Sequence, residues 1–140
     1  PGNGMAALAL IRLGHLLGAA NYLDPAHNTL RWARAVMERI PASHCVLLDA
    51  LEEVTFPGEQ VVLRGPPEIM QMWRAALESG YTPKRRVYCI PYADTLTLPD
   101  YLPRLVSTEQ QKQVTAYVCA GLTCSLPITD LEELQATVSD

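Results

Sequence analysis

Gln60-Val61-Val62-Leu63-Arg64-Gly65-Pro66-Pro67 opens the stretch that decides the fold, and Arg86-Val87-Tyr88-Cys89-Ile90 closes it. Both ends are short runs rich in β-branched and aromatic residues, the composition of a strand. Between them Ile69, Met70, Met72, Trp73, Ala76 and Leu77 recur at helical spacing, and Gly80 and Pro83 end the pattern. Strand, helix and strand in that order predict a βαβ crossover whose two strands run parallel.

Working outward toward the C-terminus, residues 92–113 contain Pro99, Pro103 and the polar run Ser107 to Gln113, which predicts a loop or short turns. Ala116 to Cys119 is apolar and extended in character, so a third strand is expected beside the other two in a small parallel sheet. Thr129-x-x-Glu132 has the form of a capping box ahead of Leu131, Leu134 and Val138, and predicts a final helix.

Toward the N-terminus the period changes at Phe56-Pro57-Gly58, where we place a boundary between residues 1–55 and 57–140. From Met5 to Leu17 only Arg12, Gly14 and His15 interrupt an apolar run, which predicts a helix buried nearly all round, with Asn3 as its cap and Gly18 as its left-handed stop. Asp24-Pro25 resembles a cap and first helical residue for a second helix, with Leu30, Ala33, Val36, Met37 and Ile40 as its apolar stripe. A third helix is expected from about His44 to Glu53. The predicted class is therefore α/β: an N-terminal helical hairpin packed on a three-stranded parallel α/β unit.

Composition removes several function classes. A net charge of −4 in 140 residues, with basic residues scattered apart from Lys84-Arg85-Arg86, leaves no stripe to neutralise a phosphate backbone, so nucleic acid is not an expected partner. No apolar run is long enough to span a bilayer, so no membrane partner is expected either. Cys45, Cys89, Cys119 and Cys124 form neither a CxxC pair nor a zinc spacing, which points to a reducing, cytoplasmic setting without a metal. The single glycine of Arg64-Gly65-Pro66-Pro67 does not make a dinucleotide loop, and no Lys-Ser/Thr pair makes a P-loop. No cofactor is expected.

The segments Pro1-Gly2-Asn3-Gly4-Met5-Ala6-Ala7, Gln60-Val61-Val62-Leu63-Arg64-Gly65 and Thr115 to Leu134, with Tyr117-Val118-Cys119, Cys124 and Pro127-Ile128-Thr129-Asp130, together resemble the C-terminal region of the thioredoxin-domain-containing family. That family includes spermatogenesis-associated proteins and bacterial homologues of the DUF255 type. The resemblance implies a longer parent with a thioredoxin-like domain, a helical (α/α) toroid similar to six-hairpin glycosidases and N-acylglucosamine 2-epimerases, and this terminal piece. Residues 1–55 would then end the toroid, the remainder of the parent chain would be the partner, and a bacterial cytoplasm would be the setting. An apolar first helix could also support homo-oligomers.

Three roles follow as expectations, and whether any is enzymatic stays open. The leading one is a structural and regulatory part, with chemistry elsewhere in the parent. A second places a sugar site of epimerase or glycosidase kind at Asn3, Arg12 and His15 on the toroid side. The plainer alternatives are that Asn3 caps a helix and that His15 is a satisfied core residue. A third makes Cys119 and Cys124 a reversible thiol pair; the plainer alternative is two buried small hydrophobes, because CxxxxC lacks the helix that lowers a thiol pKa in CxxC enzymes. Cys45 and Cys89 are expected in the core, and Trp32 and Trp73 are expected to pack rather than to stack on sugars. Adjacent carboxylates such as Glu52 and Glu53 point about 100° apart on a helix and make no acid/base dyad.

Overall fold

A computed structural model describes residues 2–92 and 113–138. Most of the expected segment 92–113 falls outside the described residues. The chain divides into two compact units, Pro1–Pro57 and Gly58–Asp140.

The first unit is helical: α1 (Gly2–Leu17), α2 (Ala20–Arg39), a single 3-10 turn at Pro41–Ser43, and α3 (Cys45–Thr55). Helix α1 lies against both α2 and α3. Its buried face carries Gly4, Ala7, Leu8, Ile11, Gly14 and His15, the 3.6-residue period of a helix with one inner side. The expectation of burial all round is corrected: Met5 and Leu13 are exposed on the outer side. Gly18, with φ 61°, ends α1 as expected, and the Ala19 N–H donates to the Gly14 carbonyl at 2.9 Å.

The start of α2 is also corrected. It begins at Ala20, five residues before the Pro25 that was expected to open it, and Pro25 lies inside the helix. Gly18 and the extended Ala19 already make the turn, and an early restart lets Leu23 and Ala26 join Leu30, Ala33 and Met37 on the buried stripe, with Leu23 seated over Gly14. Burial of two further apolar side chains outweighs the one hydrogen bond that a proline withholds. Asn3 is likewise inside α1, exposed in its first turn, rather than before it.

In the second unit, β1 (Glu59–Gly65), α4 (Pro67–Leu77) and β2 (Arg86–Pro91) form the predicted βαβ, with β1 and β2 parallel. Strand β3 (Thr115–Ala120) pairs with the other side of β1 but antiparallel, and a two-residue strand β4 (Thr123–Cys124) follows it, giving a mixed sheet in the order β2-β1-β3-β4. This overturns the expected all-parallel sheet. Strand β2 ends at the same end of the sheet where an antiparallel β3 begins, whereas a parallel third strand would have to begin at the opposite end.

Helix α5 (Leu131–Val138) closes the chain. Its cap is Asp130, whose carboxylate accepts from the Glu133 N–H at 2.9 Å, so the capping residue lies one position beyond the expected Thr129. Val61, Leu63, Val87 and Ala116 on one sheet face, with Met70, Trp73 and Leu77 of α4 and Leu134 and Val138 of α5, form one apolar cluster.

Candidate functional site

Side chains alternate along a strand, so the residues between those core positions occupy the opposite face of the sheet. There β1 places Gln60, Val62 and Arg64, and β3 places Thr115, Tyr117 and Cys119. This face is also buried, with Gln60, Arg64 and Thr115 each only 1% exposed. It is polar where the first face is apolar. Strand register sets its cross-strand rows: Gln60 lies opposite both Arg86 on β2 and Cys119 on β3, and Cys119 lies opposite Cys124 on β4. One row across all four strands therefore reads Arg86, Gln60, Cys119, Cys124.

The last two members are joined by a disulfide with an S–S distance of 2.07 Å. A tight hairpin brings them face to face. The two residues between Ala120 and Thr123 are Gly121 and Leu122, and Gly121 has φ 58°. A glycine with positive φ at the first central position is the requirement of a type II′ hairpin turn, whose twist matches that of the flanking strands. Beyond the disulfide the ladder is completed by a side chain: Ser125 Oγ accepts from the Val118 N–H at 3.1 Å and donates to the Leu126 carbonyl at 2.7 Å. The Ser125 N–H donates to the Val118 carbonyl at 2.8 Å, and Ala116 and Ile128 then exchange two backbone hydrogen bonds. Cys119 is buried and Cys124 only partly so. The plainer expectation of two unjoined core thiols is replaced by a bonded pair whose outer sulfur belongs to an edge strand.

At the other end of the polar face, the Arg64 guanidinium sits 5.5 Å from the centroid of the Tyr92 ring. Attraction of a cation to the face of an aromatic ring is strongest where water is excluded, as here. The Tyr92 hydroxyl lies 3.4 Å from Thr115 Oγ1.

The residues expected to form a sugar site do not converge. Asn3 and Arg12 are nine residues apart on one straight element, about 13.5 Å along the axis and on opposite sides of it. Arg12 pairs with Glu53 of α3 at 3.5 Å, and His15 is buried on the inner face of α1. Asn3 instead borders a cleft of about 570 Å³ with Trp32, Ser43, His44 and Cys45, which neither Arg12 nor His15 lines. Trp32 is 75% exposed there, unlike the packed Trp73. Cys45 is exposed rather than buried, whereas Cys89 is half-buried and its burial pushes the thiol above the ordinary pKa. Among the described residues no group of His, Cys, Asp and Glu could hold a metal ion, and no helix is long and apolar enough to cross a membrane.

Sequence reasoning missed Gln60 and Arg64 as buried polar groups. The alternation polar, apolar, apolar, apolar, polar in Gln60 to Arg64 gives no warning that both ends are covered. No protein-family model matches the chain, and no solved structure matches it. The chain is similar to spermatogenesis-associated protein 20 of Homo sapiens, 27% identical over 136 residues; the match takes in 95% of this chain and spans 17% of the length of that protein.

Proposed function

We propose that this chain is the C-terminal structural and regulatory part of a longer protein of the thioredoxin-domain-containing kind. Residues 1–55 would end a helical toroid, the α/β unit of residues 57–140 would brace it, and the main chemistry would lie elsewhere in the parent. The observation that carries this is the similarity itself, which runs along nearly all of the chain yet takes up a small fraction of a long human protein. The exposed outer side of α1, with Met5 and Leu13, supports it, because apolar side chains of this kind call for a covering neighbour. The test is to delete this segment from the parent: the truncated protein is expected to unfold several degrees lower and to lose activity through instability. An unchanged unfolding temperature would refute the bracing role. A sugar site at Asn3, Arg12 and His15 gains no support from α1, on which Asn3 and Arg12 stand on opposite sides of the axis.

The Cys119–Cys124 disulfide favours a second role, thiol exchange with a dithiol such as the thioredoxin-like domain that the resemblance implies. In the cytoplasmic setting expected from the cysteine usage, a disulfide is more often transient than structural. Alkylation after titration with dithiothreitol tests this: folded chain should release two thiols on Cys119 and Cys124. Release only after denaturation would exclude exchange in the native state.

A further inference from the structure

We infer that Gln60 is a positioning residue for the Cys119–Cys124 pair: its side-chain amide receives the sulfur that leaves as a thiolate when the disulfide opens. This rests on the exchange role proposed above. Gln60 and Cys119 are directly opposed on β1 and β3 and face the same side of the sheet, which puts their Cβ atoms about 5 Å apart. The Gln60 amide is buried, and its Nε2 has no hydrogen-bond partner among the described residues. A buried N–H without an acceptor is a standing cost, and such groups are rare in folded proteins. A disulfide sulfur is a poor acceptor, whereas a thiolate is a strong one, so the missing acceptor appears when the S–S bond breaks. Arg86, next in the same row on β2, is a cationic residue whose backbone is two strand spacings, about 10 Å, from that of Cys119.

The exposures of the two cysteines fix which sulfur leaves. A thiolate of an incoming dithiol attacks Cys124 Sγ, the less buried sulfur; the S–S bond breaks and its electron pair stays on Cys119 Sγ, beside Gln60. A mixed disulfide now joins Cys124 to the reagent. The second thiolate of the reagent attacks the reagent's own sulfur in that bond, and Cys124 departs as a thiolate. The reagent is oxidised to a disulfide, the hairpin is reduced by two electrons, and the two protons shed by the dithiol go to the new protein thiolates or to solvent. The amide thus favours the reduced hairpin over the oxidised one.

The experiment equilibrates the 140-residue chain in dithiothreitol redox buffers and compares wild type, Gln60→Met and Arg86→Gln. Met keeps the volume of Gln without its donor. Gln60→Met is expected to favour the disulfide about tenfold, a midpoint about 30 mV more negative, and Arg86→Gln to shift it about twofold in the same direction. Brief exposure to glutathione followed by N-ethylmaleimide should place glutathione on Cys124 and the maleimide on Cys119. A purely packing role for Gln60 would lower the unfolding temperature of oxidised and reduced chains alike and leave the midpoint where it was, which overturns the inference while the exchange role survives. A wild-type disulfide that resists dithiothreitol in the folded chain overturns both. Should Gln60→Met fail to fold, Gln60→Leu takes its place, and a midpoint equal to that of wild type overturns the proposal.

Discussion

The two faces of one small sheet are both buried, yet they are built from different chemistry. Val61, Leu63, Val87 and Ala116 pack into one apolar cluster with side chains of α4 and α5 and with Val114 and Ile128. The other face holds Gln60, Arg64, Thr115, Tyr117 and the disulfide. Burying the first set is favourable wherever the shapes fit. Burying the second is favourable only when each polar group meets a partner, so it constrains arrangement far more than it adds stability.

That contrast can be broken most sharply at Leu63, which is fully buried on the apolar face. Leu63→Ala is expected to cost about 3 kcal/mol, read from urea unfolding. A loss below about 1 kcal/mol would mean that the apolar face is not the main source of stability. On the polar face, Tyr92→Leu removes the ring over Arg64 and the hydroxyl near Thr115 while keeping an apolar side chain, and should cost about 1.5 kcal/mol. Gly121→Ala forces a Cβ into a positive-φ turn and should cost about 1 kcal/mol, with slower closure of the disulfide on air oxidation. The smallest effect concerns Cys89. Burial raises its folded pKa, so the unfolded chain loses the thiol proton first and stability falls slightly as pH rises past the ordinary thiol range. Cys89→Ser should flatten that slope, which chemical denaturation at a series of alkaline pH values would show.

Much of the apolar face was legible in the sequence, because alternation in the strands and the 3.6-residue period in α4 are properties of each segment taken alone. Direction is not such a property: nothing within Ala116 to Cys119 says whether it runs with or against β1. The expected parallel strand failed for that reason. A two-residue β4 is too short to leave any pattern. The pairing of Cys119 with Cys124 had one available signal, the Gly121-Leu122 dipeptide centred between the cysteines, which reads as a hairpin turn once a strand is placed before it. Asp24-Pro25 shows the opposite failure, a well-formed helix start that loses to the burial of Leu23 and Ala26. The separation of Asn3 from Arg12 was also legible in the sequence, since nine residues along a helix carry one to the far side of the axis from the other.

The Ser125 hydroxyl that holds the Val118 amide has a consequence for measurement. Of the two amide protons exchanged between these residues, the Ser125 proton is held by a main-chain carbonyl and the Val118 proton by a rotatable side chain. Deuterium uptake at Val118 therefore follows the torsion of a single serine, and uptake at Ser125 follows separation of the two chain segments. Together the two amides form an internal gauge that distinguishes a loosened latch from an opened hairpin.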